Sequence, residues 1–485
     1  MRFFILVFAV NLLASSPASA QHWTGPFQLT NDTFADINPS ACPEWVSGTN
    51  TYLVWQTNRN GNWDIHAKSC EMMNGNGWGA DESVSTDSGD DVNPAVAACN
   101  ELYPDSASFW CVWERRGSPI VGSIWASFVK VPEDWQEPTL VGGYIHTGGD
   151  SAEPRVIVIR NTDVDTAWVT WTSHDTDGWH IDYAYHAGDS WYGPWYAVNG
   201  PDPIRHARLG RGYHDRYYGC PLLTWESNGD IFYSEYLDGS WQTPQEVAHS
   251  DSQDRNPDVI SRGWIFDELG PWITWESTRD GDTAVYGTAM DTFSIGRRWC
   301  DSTGAGNNYA PCGTPAAYTT DYWEPVAATW VSDRDGDANI YSRTMFSDYD
   351  VRVDSDTAAD VNPTITTLGL TEHWCVWQSD RSGNWDLYGS YVYATGLEES
   401  RRPQAASFKP EQTVVRGVLL LEGDCPRTGT VPKVVLLDIS GRKVVGLHAG
   451  ANDVSKLSPG VYFVHSERPA VGGRPSAIAK VIVTR

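Results

Sequence analysis

Residues 205–217 read RHARLGRGYHDRY and bring Arg205, Arg208, Arg211, Arg216, His206 and His214 together in an otherwise acidic chain. Guanidinium forks in such density suit an anionic ligand, and Arg208, Arg211 and His214 are the candidate ligand-binding residues. The competing reading is a solvated loop whose cations pair with nearby acids. A second chemistry is suggested by the acidic runs Arg279-Asp280-Gly281-Asp282 and Asp333-Arg334-Asp335-Gly336-Asp337. Closely spaced carboxylates offer hard oxygens to Ca2+, the one cofactor these runs suit. None completes a twelve-residue loop with its terminal Glu, and Asp and Gly are ordinary turn formers. Trp63, Trp179 and Trp385, just past such turns, are placed to stack on a ligand or across strands. The chain has no G-x-S-x-G, H-E-x-x-H or Gly-rich phosphate loop. No residue is assigned a catalytic role.

The elements that carry these residues repeat. A Trp late in an apolar strand is followed by a polar turn with Gly and a second strand ending in an aromatic residue, as in VWQTNRNGNWDIH (54–66), WESTRDGDTAVY (275–286), WVSDRDGDANIY (330–341) and WQSDRSGNWDLY (377–388). Looser copies surround Trp113, Trp171 and Trp225, so the anchors Trp55, Trp113, Trp171, Trp225, Trp275, Trp330 and Trp377 recur 47 to 58 residues apart. Several short strands at that period are the mark of a β-propeller. Anchors at one strand position should pack between blades, each burying about 150–250 Å². Asp-x-Asn-Pro at 36–39, 91–94 and 360–363, with partial copies at Glu153-Pro154 and Asn256-Pro257, marks where each new inner strand begins, because Pro cannot donate to a ladder. Residues 27–39 (FQLTNDTFADINP) match 351–363 (VRVDSDTAADVNP), and the seventh unit stops after its third strand. The N-terminal strand is therefore expected to pair beside residues 386–391 and close a seven-bladed ring, leaving no exposed sheet edge.

The phrases SDRSGNWDLY (379–388) and SDRDGDANIY (332–341) resemble the TolB-like propeller repeat. The resemblance covers roughly residues 27–393, is clear in five units, and implies a binding platform more than any single activity. SDRSGNW is only superficially similar to the sialidase Asp-box, because Arg381 stands at its third position and Trp385 comes one residue early.

The net charge is −28, from 62 acidic and 34 basic side chains, which excludes a nucleic-acid partner and disfavours anionic lipid. Residues 1–20 (MRFFILVFAVNLLASSPASA) read as a secretory signal peptide ending at Ala18-Ser19-Ala20, with no transmembrane segment in the mature chain. In an exported protein Cys99/Cys111 and Cys300/Cys312, each 12 apart, are candidate disulfides across inner-strand hairpins.

Composition changes near residue 413. Residues 413–485 hold ten Lys/Arg against five Asp/Glu and no Trp, whereas all 25 Trp lie at or before Trp385. Apolar runs at 418–421, 433–439, 461–465 and 478–483 read as strands. KVVLLDISGRKVVGL (433–447), LSPGVYFV (457–464) and the basic end from Lys480 to Arg485 resemble the type IX secretion sorting domain. That resemblance implies a small β-sandwich and export by the type IX machinery of a Gram-negative bacterium, to the medium or the outer-membrane surface.

The expected organisation is all-β: signal peptide 1–20, a seven-bladed propeller over 21–396, a linker over 397–412 and a sorting domain over 413–485. The expected function is non-catalytic binding or scaffolding of an extracellular protein or glycan. The alternative is a secreted glycan- or peptide-acting hydrolase working on the propeller face.

Overall fold

In the computed structural model the chain is all-β, with no helix among the described residues. Those are residues 23–43, 50–71, 77–98, 108–118, 121–131, 133–145, 152–161, 164–212, 219–248, 252–261, 271–290, 296–300, 306–315, 326–344, 350–354, 356–368, 372–393, 409–410, 414–415, 418–422, 433–438, 442–447, 450–467 and 478–484. The expected signal peptide lies outside them, as does nearly all of the expected linker. The chain divides into two compact units, Met1–Gly396 and Leu397–Arg485.

The first unit contains seven antiparallel sheets of at least four strands. Their inner strands are Asp36–Ala41, Asp90–Ala98, Arg155–Asn161, Ile204–Arg211, Asp254–Ile260, Asn308–Pro315 and Asp360–Leu368. Each touches the next in chain order, and the seventh touches the first, so the sheets form the ring of a β-propeller. The seventh sheet gains its fourth strand from the N-terminal segment Thr24–Gln28. Thr24 pairs with Tyr391, Phe27 with Gly389 and Gln28 with Tyr388. Phe27 stacks 5.9 Å from the Tyr391 ring, and Leu29 is buried beyond it.

The repeat phrase sets three local devices. The first is a left-handed residue where each inner strand begins: Asn38, Asn93, Glu153, His206, Asn256, Ala310 and Asn362 all have φ between 45° and 56°. Asn tolerates that region better than most residues, which explains its recurrence before Pro. The second is the Trp anchor. All seven are at most 3% exposed, and the residue after the Trp often latches neighbouring sheets together. Gln378 accepts from Asn362 Nδ2 of its own sheet (3.0 Å) and from the Asn38 N–H of the next (2.9 Å). Gln56 does the same with Asn38 (2.9 Å) and Asn93 (2.9 Å), and Glu276 with Asn256 (2.6 Å) and Ala310 (2.7 Å).

The third device is the turn arginine. Arg381 donates to both oxygens of buried Asp360 (2.9 and 2.7 Å) and lies 4.2 Å over the Tyr388 ring. Arg279 reaches Asp254 over Tyr286, and Arg334 reaches Asn308 over Tyr341. The Asp, Arg and Tyr of the repeat are therefore one structural unit. Gly281, Gly336 and Gly383 take φ of 95–101° at the turns between, where only Gly is unstrained.

The expected Cys300/Cys312 bridge is not formed; both are thiols. Cys300 follows the outermost strand of the fifth sheet (Arg297–Arg298), whereas Cys312 lies on the innermost strand of the sixth. Opposite edges of four-stranded sheets lie about three strand spacings apart, beyond disulfide reach. The 12-residue spacing spans the crossing between blades, not a hairpin. Cys111 is also a thiol, and Cys99 lies outside the described residues.

The second unit contains a three-stranded sheet (Lys409–Pro410, Val418–Glu422, Gly450–Asp453) and a five-stranded sheet (Val414–Val415, Ile478–Val483, Gly460–Glu467, Lys433–Leu437, Lys443–Leu447). Asp438 and Arg442 bond across the end of the Lys433–Leu437/Lys443–Leu447 pair: Arg442 N–H donates to Asp438 Oδ1 (3.0 Å) and Asp438 N–H to Arg442 O (2.9 Å).

Candidate functional site

The seven strand beginnings surround a central channel of about 510 Å³. Because strand side chains alternate, the left-handed residue and the residue two further on both line it. The outer tier is Asn38, Asn93, Glu153, His206, Asn256, Ala310 and Asn362; the inner tier is Ser40, Ala95, Arg155, Arg208, Asp258, Cys312 and Thr364. Within these two tiers charge is confined to one wall; the other charged lining residue, Arg116 of the second sheet, pairs with Glu114 (2.9 Å). The third, fourth and fifth sheets supply Glu153, His206, Arg155, Arg208 and Asp258, while the other four offer Asn and small residues.

On the charged wall Arg208 Nη1 donates to Glu153 Oε2 (3.1 Å) and to the Ala207 carbonyl (3.1 Å). His206 Nδ1 lies 3.3 Å from the same Glu153 oxygen. Arg155 Nη1 donates to the Pro154 carbonyl (2.8 Å), and Asp258 Oδ2 accepts the Gly313 N–H (2.8 Å). Burial works against the Glu153 charge, but His206, Arg208 and Arg155 outweigh it and hold this carboxyl well below the usual range. Asp258 goes the other way, raised by burial against the pull of Arg208 and Arg155. Arg155 is pushed down to about 10 by burial and by its like-charged neighbour Arg208. These groups lie deep in the protein yet remain partly accessible from the channel.

The basic cluster read from the sequence is not an inserted loop. Ile204–Arg211 is the inner strand of the fourth sheet, paired with Pro221–Ser227. Strand alternation then separates its cations. Arg208 faces the channel, Arg205 is exposed, and Arg211 donates to the Val158 carbonyl of the preceding inner strand (2.7 Å), tying two sheets together. His214 and Arg216 lie outside the described residues. Arg155, Glu153 and Asp258 escaped sequence reasoning. Their signal was positional: Glu153 and His206 replace the Asn of Asp-x-Asn-Pro, and the next channel-facing residue after each carries charge.

The acidic turns are engaged internally. Asp280 accepts from Tyr286 and Arg298, which hold it below the usual carboxylate range, and Asp335 accepts from Tyr341 (2.5 Å). Among the described residues no group of three or more His, Cys, Asp and Glu is arranged to hold a metal ion. Trp179 is buried with its ring 4.3 Å from His174, while Trp63 and Trp385 are half-buried. A separate aromatic surface lies on the outer strand Ser190–Gly200 of the third sheet, where Tyr192, Trp195 and Tyr196 are 46–56% exposed.

No protein-family model and no curated protein matches the chain. Among solved structures it is similar to a Dyadobacter fermentans protein of unknown function (10% identity, covering 78% of this chain and 100% of that one, TM-score 0.46). It is also similar to the leech intramolecular trans-sialidase complexed with 2,7-anhydro-Neu5Ac (9% identity, 78% and 71%, TM-score 0.40). A third likeness is to prolyl endopeptidase (12% identity, 76% and 49%, TM-score 0.40).

Proposed function

We propose that the chain is an exported β-propeller binding protein whose ligand occupies the central channel against the charged wall. The observation that carries this reading is the asymmetry of the two tiers. A scaffold needs only the repeat, yet three neighbouring sheets depart from it at equivalent positions, and their departures converge on one cavity. A channel of this volume falls within the usual range for a small-molecule site, about 300–1,000 Å³. Residues 1–20 and the sorting-domain phrases of 413–485 support delivery by the type IX route to the surface or medium. The TolB-like phrases support a platform, and deletion of 413–485 should leave the protein inside its native host.

The test is to fill the channel from its neutral side. Ser40→Phe, opposite the charged wall, should abolish binding of any small ligand found by a thermal-shift screen while the protein still melts as one cooperative unit. Binding that survives Ser40→Phe would place the site elsewhere, with the exposed aromatic strand at Tyr192, Trp195 and Tyr196 the first alternative for a glycan.

The hydrolase reading is favoured by one observation. Glu153 and Asp258 are carboxylates whose surroundings move their pKa values in opposite directions, the pattern of a base and an acid. Glu153 is, however, already held by an arginine and a histidine, and among the described residues no nucleophile–base pair accompanies it. Turnover of a glycan or peptide that is lost in Asp258→Asn would establish this alternative.

A further inference from the structure

We infer that the channel recognises a compact ligand carrying a carboxylate beside a hydrogen-bond donor, such as an α-amino acid or a sugar acid. The inference rests on the channel being the binding site and names what the site takes. Arg155 and Arg208 occupy the same tier on adjacent inner strands. A guanidinium carries five N–H donors in a fixed fork, and the hydrogen bonds formed among the described residues use only Nη1 of each. The Nε/Nη2 edge, the one that matches a carboxylate in bidentate fashion, is engaged by neither Glu153 nor Pro154.

Two deep cations at neighbouring positions repel each other, and Arg155 is lowered first by burial and then by Arg208. Glu153 pairs directly with Arg208 (3.1 Å), and with Asp258 it offsets the repulsion at Arg155 only in part. A ligand carboxylate between the two would relieve both in a setting where such contacts are screened little.

The donor half of the ligand follows from Asp258. This carboxylate stands one strand further along the tier, is hydrogen-bonded to the Gly313 N–H, and makes no ion pair with either arginine. It offers an acceptor to an ammonium or hydroxyl next to the bound carboxylate. Charge balance points the same way. Arg155 and Arg208 are matched by Glu153 and Asp258, and the whole chain carries −28, so a polyanion would be repelled. A zwitterion or hydroxy acid fits a wall of alternating sign. The opposite wall of Ser40, Ala95, Cys312 and Thr364 leaves room for the ligand's body.

The test is isothermal titration of the mature full-length protein at fixed ionic strength with a panel of L-amino acids, D-glucuronate and D-galacturonate. D-glucose, D-glucuronamide and sulfate serve as comparators. At least one carboxylate probe should bind saturably at one site per chain, while the comparators should not; amino acids and sugar acids distinguish the two sources of this chemistry. Arg208→Gln should weaken that binding about tenfold or more, the effect of losing a charge-assisted hydrogen-bond pair. Arg155→Gln should do likewise, and Asp258→Asn should weaken the donor-bearing probes selectively. Should Arg155→Gln fail to fold, the partly accessible Arg208 decides alone. The inference is overturned if no carboxylate probe binds, if sulfate binds as well as they do, or if affinity ignores both arginines. A non-carboxylate ligand displaced by Ser40→Phe would then leave the channel reading standing and remove only this assignment.

Discussion

Arg381 and Arg208 are both arginines against carboxylates in the same ring, yet their surroundings differ. Arg381 is clamped between two oxygens of fully buried Asp360 and the face of Tyr388, with nothing left to offer a ligand. Arg208 shares one Glu153 oxygen with His206 and borders an open channel. The first sits in a repeated phrase and the second where the phrase is lost. In this ring the arginine that recurs builds the blade, whereas Arg208, which appears once, faces the channel.

The largest effect that sharpens this contrast concerns the regular side of the ring. Deleting residues 21–31 removes the strand paired with Asp386–Tyr393 and exposes its edge. The deletion should abolish a single cooperative transition in calorimetry, eliminating much of the about 5–15 kcal/mol that holds a domain together. A melt indistinguishable from the intact chain would show that ring closure contributes little. Arg381→Ala should be next. It strands Asp360 without its cation and should destabilise by about 3–5 kcal/mol in a denaturant titration.

Acid should act through the buried imidazoles. His373 and His66 are held neutral by burial, with pKa values lowered to about 4 from the usual 6.5. Between those values the unfolded chain binds more protons, so stability falls as pH drops from 6.5 toward 4, by about 3 kcal/mol per imidazole at most. Carboxylates raised by burial, among them Asp36 and Asp182, oppose this trend. Comparing His373→Leu with the parent isolates one histidine: the variant should lose less stability across that window.

The smallest effect is at Ala310, the one left-handed tier position with neither Asn nor charge, at φ 52°. Ala310→Gly should raise stability by about 0.5 kcal/mol, as strain relief slightly exceeds the added chain entropy. A loss would mean that the Ala310 methyl packs well enough to offset the strain.

The fold was legible because its signals are redundant. Seven Trp anchors at similar spacing and three copies of Asp-x-Asn-Pro each report the same strand positions, and the match between residues 27–39 and 351–363 pointed to the strand that pairs with Tyr391. The site was legible only in part. Arg208 stood out within a visibly basic run, but Arg155 and Asp258 are single charged residues in ordinary strands, and only the channel register brings them beside Arg208. The run also misled: Arg211 is a tie to the neighbouring sheet, because strand alternation sends it away from the channel. The Cys300/Cys312 expectation failed for a related reason, since sequence proximity across a blade crossing means separation in space.

The central claim is that the charged wall binds and the repeat arginines build. The most direct measurement sets Arg208→Gln beside Arg381→Gln, each examined by thermal melting and by titration with whichever carboxylate probe binds the parent. Arg208→Gln should melt close to the parent, within about 1 kcal/mol, and lose binding about tenfold or more. Arg381→Gln should melt well below the parent and, while folded, bind the probe as the parent does. The account is contradicted if Arg208→Gln unfolds the ring, or if the two variants weaken binding alike.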